Sequence, residues 1–169
     1  MAGERDRNRI PVSLKLVYTS LILIVSYTIV SNYGWMSMLW FSHTALLVVL
    51  IGMWWESRLL LSMASLSILL FHSLWTLGFL FRLVTGATLL GGLSYMFDAD
   101  TSLFLIGVSL YHVAMPLLMV WILRRKGYRR EALKFQTLFG WTVAITAFMI
   151  TPHSRNINWV FGPIEPQTV

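Results

Sequence analysis

The sequence predicts an all-α integral membrane bundle with five transmembrane helices and its amino terminus inside. Three observations carry that prediction. Of 169 residues 57% are hydrophobic and 12% are charged, and a soluble domain holds roughly twice that charged fraction. The apolar residues gather into five runs long enough to cross hydrocarbon. The basic residues fall into alternate connections between those runs, as the positive-inside rule requires.

Residues 1–13 form a polar head containing Glu4, Arg5, Asp6, Arg7 and Arg9. The run that follows, about 14–32, has a charged flank like that of a signal peptide. It lacks a small-residue cleavage site and passes into Ser31, Asn32, Tyr33 and Gly34, so it reads as a retained span ending in a turn. The second span, about 35–55, begins at Trp35 and ends at Trp54 and Trp55, where indoles anchor at both headgroup levels. A short turn of Glu56, Ser57 and Arg58 leads into the third span, 59–84. At about 39 Å the third span exceeds a hydrocarbon core of about 30 Å and must tilt or protrude. Arg82 then sits at its outer end, placed to snorkel.

Residues 86–100 are glycine-rich and read as a loop or a short interfacial helix. The fourth span, 102–123, is closed by Arg124, Arg125, Lys126, Arg129 and Arg130. The fifth, 132–151, stops at Pro152. Residues 153–169 are polar and interrupted by Pro163 and Pro166, and read as an external tail. With the amino terminus inside, Arg5, Arg7, Arg9, Lys15, Arg58, Arg124, Arg125, Lys126, Arg129, Arg130 and Lys134 are cytoplasmic. Only Arg82 and Arg155 are outside. The basic residues are therefore topology signals, so the net charge of +6 does not point to nucleic acid. The absence of cysteine excludes disulfides and thiolate metal sites.

Polar side chains inside apolar runs are the candidates for function, because hydrocarbon penalises an unpaired polar group. His43, His72 and His112 lie roughly 12, 18 and 16 Å below the outer ends of their spans at 1.5 Å per residue, so the three can meet. Ser62, Ser65, His72 and Thr76 share one helical stripe, and Ser109 shares a face with His112. Pro116 has no amide hydrogen, so the carbonyl of His112 needs another donor. Thr137, Gly140, Ala144, Ala147 and Thr151 form a small-residue packing face on the last span. A lone membrane histidine ordinarily makes an interhelical hydrogen bond, worth about 0.6 kcal/mol on average. Three at one depth suggest a pocket, and the chemistries open to it are several. The imidazoles of His43, His72 and His112 can hold a metal ion, two facing histidines can ligate a haem, and Ser42, Thr44 or Ser109 can act as a nucleophile with His112 as base. A buried acidic relay for ion conduction is lacking. Asn156 and Asn158, on the same outer side, either close over the pocket or cap a loop.

Several motifs together carry a resemblance: Leu39-Trp40-Phe41-Ser42, Trp54-Trp55-Glu56-Ser57, Tyr95-Met96-Phe97-Asp98, Ser109-Leu110-Tyr111-His112, Gly127-Tyr128-Arg129-Arg130 and Asn156 to Gly162. From about Tyr33 to Gly162 the chain resembles an uncharacterised family of bacterial polytopic membrane-associated proteins. That resemblance implies a bacterial inner-membrane protein and no particular activity. Members carry acidic residues where this chain has His43 and His72, and continue into another hydrophobic helix after the Asn-Trp motif. By that pattern this is a short or truncated member. A fainter similarity is to the androgen-induced type of membrane lipid hydrolases, which use an intramembrane threonine and histidine. It implies a role for His112, while Trp40 stands at the position of their threonine. The readings that follow are a bundle binding a small ligand, lipid or partner protein in a histidine-lined outer pocket, or a membrane-embedded hydrolase or metal- or haem-dependent enzyme centred on His112.

Overall fold

A computed structural model of the protein describes residues 9–89 and 93–162. Residues 1–8, 90–92 and 163–169, among them Gly91 and Gly92, lie outside the described residues. The described chain is helical and holds no strand. We number its helices α1 (Val12–Tyr33), α2 (Phe41–Trp54), α3 (Arg58–Thr85), α4 (Leu103–Lys126) and α5 (Ala132–Ile150). Four of them, α1, α3, α4 and α5, are long and apolar enough to cross a membrane.

The expected span 35–55 is not one helix, and this corrects the reading of five uniform spans. Trp35–Leu39 is a short 3-10 turn, Trp40 is extended at φ −58° and ψ 137°, and α2 has only 14 residues. The cause lies far away in sequence. Asn158 donates to the Leu39 carbonyl at 2.8 Å and accepts from the Phe41 amide at 2.9 Å, replacing helical partners on both sides of Trp40.

Two more helices carry irregularities. Helix α3 runs without interruption through Gly78 but contains a π turn at Ile68–His72. Helix α4 tightens at Leu110, between Leu103–Ser109 and Tyr111–Lys126. Pro116, inside the second part, adds a second irregularity, since it can neither bond nor closely approach the carbonyl four residues earlier, that of His112.

The core is a set of helical stripes. Tyr18, Ile22, Val25 and Ile29 of α1 face Ala45, Leu46, Val49 and Met53 of α2, with Leu61, Ala64 and Ile68 of α3 and Tyr111, Met115, Met119 and Ile122 of α4. The Tyr18 hydroxyl donates to the Leu46 carbonyl at 3.0 Å, fixing α1 against α2. Gly52 lets α2 and α3 approach, because a Cβ there would lie 3.1 Å from the Leu61 side chain. Lipid is as apolar as these side chains, so close packing and interhelical hydrogen bonds hold such a bundle together. Helix α5 is peripheral. Leu133, Leu138, Trp141, Ile145, Phe148 and Met149 are exposed, as suits a face towards lipid. Its expected small-residue face is half right. Ala147 and Thr151 are buried, and Thr137 is exposed, because the first half of α5 packs instead through Ala132 and through Gln136, whose amide donates to Ser67 Oγ at 2.8 Å.

The two ends of the bundle are tied differently. At one end Glu56 pairs with Lys15 and Lys126 and accepts from the Ile10 amide at 3.2 Å. Burial raises its pKa, but the hydrogen bonds from Lys126 and Lys15 prevail and hold it below the ordinary value. Arg58 adds bonds to the Gly127 and Tyr128 carbonyls at 3.3 and 3.0 Å. At the other end the residues expected to be an exposed tail are folded down as far as Gly162. Ile157 and Asn156 are buried. Arg155 donates to the Tyr33 carbonyl and packs over Gly34, whose φ of +77° is one that glycine adopts without strain.

Candidate functional site

The π turn of α3 and the proline-bent part of α4 bring His72 and His112 together, with ring centroids 4.8 Å apart and planes tilted by 33°. One side chain links the two backbones. Thr76 Oγ1 lies 2.7 Å from the His72 carbonyl and 3.2 Å from the His112 carbonyl, so its one proton is shared between them and partly replaces the donor that Pro116 removes. Around the pair the Trp75 indole stacks on His112 at 4.5 Å, and Tyr111 packs on both imidazoles at 4.0 and 5.8 Å. The connection 86–100 forms one 3-10 turn, Ser94–Phe97, above this cluster. Leu93 and Met96 are buried there, and the Tyr95 ring comes close to the side chains of Ser109 and Trp75. Arg82 lies over the Phe97 ring at 4.6 Å.

The three histidines differ in what their nitrogens do. His112 Nδ1 lies 2.8 Å from the Ser109 carbonyl and His43 Nδ1 lies 2.7 Å from the Ser37 carbonyl. A carbonyl only accepts, so in both rings Nδ1 carries the proton and Nε2 keeps a lone pair. His72 is wholly buried, and neither ring nitrogen has a hydrogen-bond partner. The Tyr111 hydroxyl beside it is buried and unpartnered as well. Native interiors rarely leave such groups unpaired, and each calls for an explanation.

The expected site residues divide accordingly. His72 and His112 meet. His43 is within electrostatic reach of both, but no three His, Asp or Glu side chains among the described residues are placed to hold a metal ion. The three-imidazole metal centre is therefore not formed. A haem with two axial histidines needs the macrocycle between the rings, and these rings touch each other directly. The serine–histidine pair is not formed either. Ser109 Oγ donates to the Leu105 carbonyl at 2.8 Å, and His112 contacts the serine backbone and not its hydroxyl. Thr44 Oγ1 is likewise engaged with the Trp40 and Phe41 carbonyls, and Ser42 sits half-buried in the first turn of α2.

Asn156 and Asn158 act on backbone. Asn158 holds the start of α2, while Asn156 accepts from the Phe161 amide at 3.0 Å and donates to the Gly162 carbonyl at 2.7 Å. They close the end of the bundle opposite Glu56 as a capped loop. Trp75 and Tyr111 are the site residues that inspection of histidines misses. The signal for Tyr111 was present, since it heads the buried stripe continued by Met115, Met119 and Ile122.

Comparisons with protein families, with curated proteins and with solved structures gave no match to this chain.

Proposed function

We propose that the protein crosses the membrane five times with its amino terminus in the cytoplasm, and binds a small neutral ligand or lipid at His72, Tyr111 and His112 in its outer half. The single observation that carries the binding role is His72, an imidazole with no exposure and no partner for either nitrogen. Leaving such a group unpaired costs about 1–3 kcal/mol, a penalty that a ligand completing its hydrogen bonds removes. The site holds neutral donors and acceptors, and its serine and threonine hydroxyls are bonded to carbonyls, which supports binding over hydrolysis.

The fifth crossing is the broken one. From Tyr33, bonded by Ser37, to Glu56, paired with Lys15, the chain returns along the length of α1. The 3-10 turn contributes about 10 Å and α2 about 21 Å, together close to a hydrocarbon thickness of about 30 Å. The end tied by Glu56 carries Arg58, Arg124, Arg125, Lys126, Arg129 and Arg130, which supports a cytoplasmic assignment. The resemblance read in the sequence favours a bacterial inner membrane as the setting.

Two experiments test this. Lipid and small-molecule extracts of detergent-purified wild type and His72→Phe are compared by mass spectrometry. A species held stoichiometrically by wild type and lost from the variant supports the site, and identical extracts refute it. The chain has no cysteine, so single introduced thiols report topology cleanly. An impermeant maleimide labels Asp98→Cys and Ser154→Cys on intact cells and Arg130→Cys only after lysis. The reverse pattern overturns the orientation.

A further inference from the structure

The chemistry around His72 narrows what the ligand can be. No Asp, Glu, Lys or Arg lies between Arg58 and Arg82 or between Asp100 and Arg124. Along α3, His72 is about 15 Å from Arg82 and about 21 Å from Arg58, and along α4, His112 is about 18 Å from Arg124. Arg155 approaches the neighbourhood only as far as Ser37, on the far side of His43, and is committed to the Tyr33 carbonyl. A charged headgroup or metal cation at this depth would have no counter-charge, at a penalty of several kcal/mol. The bound group is therefore neutral.

Its hydrogen-bonding pattern is also defined. Tyr111 offers an O–H, His72 offers one N–H and one lone pair, and His112 Nε2 offers a lone pair. A hydroxyl matches this set, accepting from Tyr111 or His72 while donating to a ring nitrogen. It is also small enough to need little displacement of rings already in contact.

The direction of approach follows from the closed ends. Residues 153–162 and the turn Ser94–Phe97 cover the outer end, and the Glu56 network ties the inner one. The flanks of α3 and α4 expose Leu74, Leu77, Leu110 and Leu117, apolar surface suited to an acyl chain. Resting on the binding role argued above, we propose that the site takes the free hydroxyl of an uncharged lipid, a diacylglycerol or long-chain alcohol, entering sideways from the bilayer between α3 and α4.

The test is equilibrium binding of radiolabelled dioleoylglycerol to lipid-stripped full-length protein in detergent, with oleyl alcohol and dioleoyl phosphatidic acid as competitors. Saturable binding is expected, at least tenfold weaker in His72→Phe and in Tyr111→Phe, and not displaced by phosphatidic acid. Displacement by oleyl alcohol marks the hydroxyl alone as sufficient, and its failure to displace assigns recognition to the glycerol backbone as well. Equal competition by phosphatidic acid, undiminished binding to His72→Phe, or no saturable binding overturns the proposal. Thermal midpoints and gel-filtration profiles of both variants separate lost binding from lost folding. If no hydroxyl lipid binds while a His72-dependent species persists in solvent extracts, the lipid class is wrong and the site stands. If that species is also missing, both readings fall.

Discussion

Replacing His72 by phenylalanine should make the ligand-free protein more stable, the reverse of what most core substitutions do. His72 is fully buried and neither ring nitrogen is hydrogen-bonded, so the folded state bears an unmade hydrogen bond of about 1–3 kcal/mol. Phenylalanine preserves the planar shape against Tyr111 and His112 and removes both polar atoms. At about 2–4 °C per kcal/mol for a chain of this size, the thermal midpoint rises by about 2–12 °C, towards the lower figure where the larger ring crowds its neighbours. Tryptophan fluorescence of lipid-stripped protein in detergent gives the midpoint. His112→Phe is the contrast, because it discards a bond to the Ser109 carbonyl and should lower the midpoint. A fall for His72→Phe as large as that for His112→Phe would mean His72 is held by structural hydrogen bonds, and the argument for a ligand would be refuted. A gain in stability won at a binding site carries a loss of function as its recurrent cost.

Three further outcomes follow from the same geometry. Thr76→Val strands the His112 carbonyl and should destabilise by about 0.6 kcal/mol, at most about 1.7; adding Pro116→Ala returns an amide donor and should recover most of the loss in denaturation measurements. Asn158→Gly removes both bonds around Trp40 and should cost about 1–2 kcal/mol, while Asn158→Ala should cost about 1 kcal/mol more, since Asn158 has φ +56° and alanine resists that conformation. Glu56 has a folded pKa below its ordinary value of 4.5, so its stabilisation is complete above that value and is lost as pH falls through the lowered one; Glu56→Gln should flatten that acid limb and lower stability at neutral pH by about 1–2 kcal/mol.

Helical rise made part of the site legible in the sequence. Counting residues from span ends put His72 and His112 at nearly one depth, and they do touch. The spacing of Pro116 from His112 demanded a substitute donor, and Thr76, already placed on the stripe of His72, supplies it in part. The break at Trp40 was illegible because its cause, Asn158, is 117 residues from Phe41. The π turn has no local composition that distinguishes it from α-helix, so the exact facing of His72 could not be read. Spacing alone cannot say how three helices rotate about their axes. For that reason depth brought His43 near without bringing it into a ligand set.

The irregular backbone of the bundle is concentrated where the histidines are. Leu39, Phe41 and His112 each present a backbone group that regular helix does not satisfy, and each is met by a side chain: Asn158 for the first two and Thr76 for the third; His43 adds a bond to the Ser37 carbonyl in the 3-10 turn. Non-helical backbone at membrane depth persists only where protein or a lined site surrounds it, so this agreement among three distant segments marks the half that holds the histidines as the specified part of the molecule. Within that half, groups that shape the chain are paired and the buried pair His72 and Tyr111 is not. One imidazole and one phenol left unpaired among groups that are paired are the physical reason to look for the molecule that pairs them.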